Sequence, residues 1–330
     1  MSKILLLGGE GYIGNVLSDL LLKQNYFVKS FDNLSYNQIK CVENKKKNSN
    51  YQFINGDICN PIELKRSFED VECVVLLAGL VGDPITRKYK REAKNINYKG
   101  IQNVISLVSK NKKINKFIFI STCSNYGILN NNIKATEETK LNPVSDYSLA
   151  KVQAEKLIIQ NHDTTKQNFI LRFSTAFGIS NRMRFDLTIN EFTRSLFLNH
   201  KLTIFDQFTW RPYCHTSDFA RVILNLIDRK TFNNSIEIYN VGSNMNNSTK
   251  KNLTDILTNK IDNCDFEFLE NGIDSRNYMV SFDKLNNDFP NTKFLPIEEG
   301  IDEIIFYLKR GFFDDYDLNK NFYGNYELNF

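Results

Sequence analysis

Tyr147 and Lys151 stand four residues apart in Tyr147-Ser148-Leu149-Ala150-Lys151. On a helix that spacing puts both on one face. A free phenol titrates near about 10 and is a poor base at neutral pH. A neighbouring ammonium favours phenolate, and each unit of lowering takes about 1.4 kcal/mol of differential stabilisation. A phenol lowered by a few units accepts a proton from an alcohol. Taken alone, this spacing is common on helix surfaces. Here it comes after an apolar run ending in Ser121-Thr122-Cys123-Ser124-Asn125-Tyr126-Gly127, where the Thr122 hydroxyl can share the alcohol's proton with Tyr147.

A second set of residues suits an oxidant for that alcohol. Gly8, Gly11 and Gly14 form G-x-x-G-x-x-G, with Tyr12 and Ile13 inside it, between an apolar run and a helical segment. The early glycines allow a tight turn and close backbone approach to a pyrophosphate, and the last lets helix and strand pack closely. The helix N-terminus adds N–H groups and a positive dipole. The next apolar run ends in Asp32-Asn33. A carboxylate there accepts from both hydroxyls of an adenosine ribose and repels the extra phosphate of NADP. No arginine is adjacent, so NAD is the expected cofactor. In Gly56-Asp57-Ile58, after the third run, a carboxylate can meet the adenine amino group. An oxidised nicotinamide places a second positive charge near Tyr147.

These residues need a scaffold, and the chain supplies one pattern repeatedly. Apolar runs at 3–7, 27–31, 51–54, 71–77, 117–121 and 169–173 have the character of buried strands. Helical spacing lies between most of them, as in Val16-Leu17-Leu20-Leu21 and in Ile96, Ile101, Val104, Ile105 and Val108. Strand–helix alternation predicts an α/β fold, a Rossmann-type doubly wound parallel sheet. After about residue 173 the pattern loosens. Helices are expected near 185–199, 217–228, 251–261 and 300–309, and short strands near 202–205 and 236–240. The expected organisation is a nucleotide-binding domain over 1–173, rejoined by segments around 210–240. An interleaved, smaller substrate-binding lobe covers 174–310, and a tail covers 311–330.

Composition narrows the partners. The 330 residues carry 42 Lys+Arg against 38 Asp+Glu, a net charge of +4 too weak to point to nucleic acid. Six scattered cysteines form no C-x-x-C pair, and with three distant histidines they offer no metal spacing. Free thiols fit a reducing compartment. The longest apolar run, 74–81, is far short of a membrane span, and the run at 4–7 is too short for a signal-peptide core. A cytoplasmic protein with no membrane partner is expected.

Together these motifs resemble the extended short-chain dehydrogenase/reductase family, in its NAD-dependent nucleotide-sugar epimerase/dehydratase branch. The resemblance covers roughly residues 3–310. It includes Leu77-Ala78-Gly79, Asn97-x-x-Gly100 and Trp210-Arg211-Pro212-Tyr213-Cys214-His215-x-x-Asp218, with Pro212 departing from the family's Arg-Asp-Tyr-x-His-x-x-Asp. It implies that Thr122, Tyr147 and Lys151 are the catalytic triad and that Asn97 braces the sheet near the site. Leu77, Ala78, Gly79 and Phe173 would lie along the cofactor, with the segment 172–178 beside the nicotinamide. Thr175 stands where many members have Asn. Arg211 and Arg276 would bind the sugar nucleotide's diphosphate. Arg182 and Arg184, in a stretch shared with GDP-heptose 4-dehydrogenase types, would contact phosphate or carboxylate, or pair on the surface. His215 is expected to be structural, and Cys123 a small packing residue. Helices around 95–110 and 146–161 resemble those of a four-helix homodimer interface.

The resemblance leaves the reaction open. The family's 4,6-dehydratases carry Asp-Glu after the catalytic Thr, where this chain has Cys123 and Ser124. Its decarboxylating members use a nearby glutamate, also missing. A 4-epimerase, which oxidises C4 and returns the hydride to the other face, needs no further side chain and is the favoured reading, in surface-polysaccharide precursor synthesis. A nucleotide-sugar 4-dehydrogenase or 4-keto reductase is the alternative. A dinucleotide-binding redox sensor is the non-enzyme alternative, disfavoured because both Tyr147 and Lys151 are present.

Overall fold

The computed structural model describes residues 3–130, 133–231, 234–272, 274 and 276–329. Ser275, beside Arg276, lies outside the described residues, as do the first two residues and the last.

The apolar runs form strands Lys3–Leu7 (β1), Phe27–Asp32 (β2), Tyr51–Asn55 (β3), Cys73–Leu76 (β4), Lys116–Thr122 (β5) and Gln167–Phe173 (β6). Later strands are Thr175–Phe177 (β7), Trp210–His215 (β8), Ile236–Val241 (β9) and Asn247–Thr249 (β10). Seven of them make one sheet in the order β9-β6-β5-β4-β1-β2-β3. Every pair in it is parallel. The strand order reverses between β1 and β4, and a crevice opens at such a switch point, beyond the carboxyl ends of the strands.

Both faces of the sheet are covered, which is why β1 and β4 are unbroken apolar runs. Helices Tyr12–Lys23 (α1), Ile101–Lys110 (α2), Asp146–Asn161 (α3) and Thr216–Asp228 (α5) do most of the covering, while Thr188–Phe197 (α4) and Ile297–Lys309 (α6) pack in a separate core. On one face Leu17 and Leu21 of α1 meet Phe219 and Ile223 of α5 over Ile4, Leu6 and Ile118. On the other, Ile101, Val104 and Ile105 of α2 and Ala154 and Ile158 of α3 pack over Leu5, Leu7 and Phe119. A third core joins Ile189, Phe192 and Leu196 of α4 to Leu253, Leu257, Ile301 and Ile304. Two lysines cap helix ends from inside the fold. Lys116 Nζ donates to the carbonyls of Leu226, Ile227 and Arg229 at the end of α5, at 2.6–3.0 Å. Lys166 Nζ does the same for α2, at Val108, Ser109 and Asn111. Cations there complement the negative end of the helix dipole.

Several elements depart from the sequence expectation. The fourth strand starts at Cys73, and Val71 lies buried between it and the turn at 68–70. The expected strand at 202–205 forms, and its partner is Phe266–Leu269. A small sheet of β10, β8 and β7 lies beside the main one. Pro212 is tolerated inside β8 because it falls at a handover. Trp210–Pro212 pair with β10, and Tyr213–His215 pair with β7. Among the described residues no helix is long and apolar enough to cross a membrane.

Candidate active site

The glycine loop has the tightness expected of it. Gly8 has φ +84°, and a Cβ there would lie 2.6 Å from Ala78 N. A Cβ on Gly14 would lie 2.5 Å from the Gly8 carbonyl oxygen. The loop therefore folds against its own backbone and against the segment after β4, and α1 begins at its end. In front of it lies a cleft open to solvent. Its lining includes Gly8, Gly11, Asp32, Asn33, Asp57, Ile58, Leu77, Ala78 and Gly79. These are nine of the residues expected to hold the cofactor, drawn together from four separate strand ends.

Asp32 is shaped to accept. Its Oδ2 takes the Glu10 N–H at 3.0 Å and its Oδ1 the Leu34 N–H at 2.9 Å. Burial pushes its pKa up to about 6, with the Glu10 charge adding to the rise and those two amides opposing it. Asp57 Oδ1 accepts from Cys59 N at 2.8 Å, which pins the turn after β3. A carboxylate at the end of β2 and side-chain-free backbone at the loop are what a dinucleotide's ribose and pyrophosphate require, so the residues present fit NAD.

Other expected cofactor residues act from behind the cleft. Asn97 holds the Leu80 backbone with both amide atoms, at 2.8 and 2.9 Å, from a π-helical turn over Asn95–Gly100. The Tyr12 hydroxyl donates to the Gly178 carbonyl at 2.5 Å and accepts from Asn190. It thus ties the glycine loop to the second lobe. Ile13 packs between two cores. Phe173, expected along the cofactor, is the last residue of β6. Its ring stacks on Phe219 at 3.9 Å, inside the α5 layer, because alternation along β6 turns it to that face.

The pair expected to be catalytic, Tyr147 and Lys151, is built on α3. Ser145 caps this helix in a reciprocal box with Ser148. Tyr147, Lys151 and Glu155 lie at four-residue intervals on one buried stripe. Glu155 receives Arg172 Nη2 at 2.8 Å, Asn125 Nδ2 at 2.8 Å and the Ser121 hydroxyl at 2.5 Å. One carboxylate thus fixes α3 to both β5 and β6, two turns from Tyr147 and one residue from Thr122. Tyr147 lies at the other end of this stripe, buried, with the Thr122 hydroxyl on its phenol.

The electrostatics differ from the simple expectation. Lys151 Nζ donates to the Ile120 carbonyl at 2.7 Å and lies 4.8 Å from the Phe119 ring centroid. Burial pushes its pKa down to about 8, with Glu155 opposing. Burial pushes Tyr147 up to about 12, against the Arg184 and Arg276 charges and the Thr122 hydrogen bond. The cations that bear on the phenol are therefore Arg184, expected at phosphate or carboxylate or in a surface pair, and Arg276, expected at the diphosphate.

Arg184 is bidentate to Asp186, at 3.1 and 2.6 Å, and buried. Arg182 is 1% exposed and stacks over Tyr36 at 4.6 Å. Neither is a surface pair. Arg276 reaches Asp83 at 3.0 Å, the Ser124 hydroxyl at 3.1 Å and Asp274 at 2.7 Å. Arg211 meets the same Asp274 at 3.1 Å and donates to the Arg276 carbonyl. Burial raises Asp274, but Arg276 and Arg211 together hold it well below the usual carboxylate range. Thr175 is half-buried on β7, paired with Tyr213. Asp83 and Asp274 carry no signal in the sequence, because their significance lies in which arginines they meet.

Two expected bystanders have definite structural jobs. Cys123 is fully buried, its thiol on the Arg172 carbonyl at 3.1 Å. His215 caps α5 through Ser217 and holds Glu303 at 2.8 Å.

Comparison with known proteins agrees with this arrangement. Residues 4–242 match the model of the NAD dependent epimerase/dehydratase family. A putative UDP-glucose 4-epimerase from Methanocaldococcus jannaschii is 28% identical over 263 residues, covering 78% of this chain and 82% of that protein. The human dTDP-D-glucose 4,6-dehydratase is 25% identical over 249 residues, covering 73% and 69%. The crystal structure of UDP-glucuronic acid 4-epimerase from Bacillus cereus, in complex with UDP-glucuronic acid and NAD, superposes with a TM-score of 0.83 at 23% identity. It covers 93% of this chain and 99% of that one, and shares its fold. With its switch-point cleft, glycine loop and Tyr147/Lys151 helix, this chain belongs to the NAD-dependent epimerase/dehydratase family and is an enzyme whose cofactor is NAD.

Proposed function

We propose that the protein is a nucleotide-sugar 4-epimerase that works by transient oxidation at the sugar's C4. Bound NAD supplies the hydride acceptor and returns the hydride. The chain's own part is the proton. Tyr147 takes it from the C4 hydroxyl, and Thr122 orients that hydroxyl and shares its hydrogen bond. Lys151, whose ammonium donates to the Ile120 carbonyl, would meet the nicotinamide ribose. Arg184 and Arg276 offset the charge of the phenolate.

The choice of epimerase rests on the two residues after Thr122. Cys123 points away into the Arg172 backbone, and Ser124 faces Arg276 and Tyr278. No carboxyl group occupies either position to remove a C5 proton or protonate a leaving hydroxyl. Asp83, which does bear on Tyr147, is paired with Arg276. Relatives bear both epimerase and dehydratase names, so the choice between the two readings falls to these residues. Diphosphate binding by Arg211 and Arg276, a homodimer through α2 and α3, a cytoplasmic setting and a role in surface-polysaccharide precursor synthesis belong to the same proposal.

A panel of UDP-, GDP-, dTDP- and CDP-sugars, analysed by mass spectrometry and NMR with and without a 2-keto acid, tests it. A C4 epimer of unchanged mass, formed without added oxidant, is expected. Product that appears only with the 2-keto acid overturns the epimerase in favour of a 4-dehydrogenase.

A further inference from the structure

The cofactor cleft has a wall that comes from none of the strand ends. Leu328 lines it alongside Asp32, Asn33 and Tyr36. That side chain is buried in a cluster with Leu80, Ile85 and Ala93, against which Tyr36 and Ile96 pack. These neighbours belong to two different walls. Ser35 and Tyr36 come after β2, and Leu80 and Ile96 come after β4.

The backbone around Leu328 is tied to both walls. Asn329 N–H donates to the Ser35 carbonyl at 3.0 Å. Asn325 Nδ2 donates to the Val81 carbonyl at 3.1 Å. Between these ties the segment braces itself, since Asn321 and Glu327 exchange two hydrogen bonds at 2.8 Å. Its anchor is Arg182, whose Nη2 donates to the Gly324 carbonyl at 3.2 Å and to Asn325 Oδ1 at 2.7 Å. Arg182 has no carboxylate of its own in hydrogen-bond reach among the described residues, and its Nε has no partner there. A buried guanidinium in that state is retained at a cost unless something needs it. What it holds here is the tail. The aromatic side chains of Phe313, Tyr316 and Tyr323 then seat the preceding stretch on Phe185.

We propose that residues 324–329 are a clasp across the cofactor cleft, which retains the dinucleotide, with Leu328 contacting its adenosine half and Arg182 positioning the clasp. This rests on the dinucleotide occupying the cleft with its ribose at Asp32. The segment bridges the two sides of the switch point, so a dinucleotide seated between them cannot leave until the clasp lifts. Retention suits chemistry in which one cofactor is reduced and reoxidised in place. Nothing in the family's matched region, 4–242, contains these residues.

The test uses NAD+ and no sugar. The protein is loaded with radiolabelled NAD+ and stripped of free ligand, and release is timed after rapid dilution into excess unlabelled NAD+. Leu328→Ala and a chain shortened after residue 323 are expected to release it at least about tenfold faster, equivalent to about 1.4 kcal/mol. Amides of 324–329 in the unaltered protein are expected to exchange with deuterium more slowly when NAD+ is bound. Release from Leu328→Ala within about twofold of the parent, or exchange of 324–329 indifferent to NAD+, overturns the clasp. Should the shortened chain not fold, Leu328→Ala and the exchange experiment decide alone. A parent that takes up no NAD+ at all overturns the cofactor site and the clasp with it, whereas absent epimerase activity leaves both measurements standing.

Discussion

In the proposed mechanism Tyr147 takes the proton, and its surroundings set clear demands. Burial holds it as a neutral phenol with a pKa pushed up to about 12 in the protein alone. To serve as the proposed base it would need compensating positive charge, which an oxidised nicotinamide would supply when bound. Tyr147→Phe should therefore bind NAD+ with near-parental affinity and lose about 10²–10⁴-fold in turnover, measured by single-turnover absorbance at the nicotinamide band. Unchanged turnover would remove Tyr147 from the mechanism. Asp32 makes a second prediction. Its folded pKa, about 6, is above the ordinary 3.8, so the folded protein binds the extra proton between those values. Stability of the cofactor-free protein thus falls as pH rises from 3.8 through 6 on account of this group. With the ribose placed at Asp32 as proposed, NAD+ affinity should move the other way, because only the ionised carboxylate accepts from both ribose hydroxyls. Titration calorimetry should show affinity rising toward a plateau above pH 6, with a flat profile in Asp32→Asn. The sequence exposed Tyr147, Lys151 and Asp32 because each belongs to a short local pattern. It concealed the Arg184 and Arg276 positions around the phenol, since these are set by residues far apart in the chain.

At the scale of elements, α3 matters most. A helix presenting Tyr147 to Thr122 must not slide or rotate, and the packing of Ala154 and Ile158 alone is nonspecific in register. The Glu155 carboxylate supplies the register through Ser121, Asn125 and Arg172. Removing it leaves Arg172 buried and unpaired, a loss typically worth about 3–5 kcal/mol. Glu155→Ala should lower the free energy of denaturant unfolding by about that much. Glu155→Gln, which keeps shape and some hydrogen bonds, should lose less. A drop under about 1 kcal/mol in Glu155→Ala would mean the helix is held by other means. The strands and the first helix were legible because buried parallel strands are continuous apolar runs and α1 comes directly after glycines. The partner strand Phe266–Leu269 was not, since alternating Phe-Glu-Phe-Leu over four residues carries little periodic signal. Nor was the direction of Phe173, which depends on which face of β6 meets α5.

Over the whole molecule, the paired surface helices bear on assembly. Leu149 and Ile159 on α3 are 42% and 41% exposed, apolar positions on an element otherwise firmly packed. A homodimer through α2 and α3 would cover them. Light scattering should return twice the 38.4 kDa chain mass, and Leu149→Glu should shift it toward one copy. A single-copy mass for the parent would exclude this interface. The tail's position could not be deduced from composition, because its aromatic and amide residues suit many surfaces, and only the locations of Arg182, Ser35 and Val81 in space select one.

The edge of the main sheet carries a practical consequence. Strand β9 is drawn from residues 236–241 yet closes the flank of β6. A fragment ended at residue 173 would expose the Phe173 ring now shielded by Phe219 and a row of unanswered amides and carbonyls along β6. Such a flank invites cross-pairing between molecules, so the nucleotide-binding half made alone would be expected to precipitate, and expression trials should keep the chain whole.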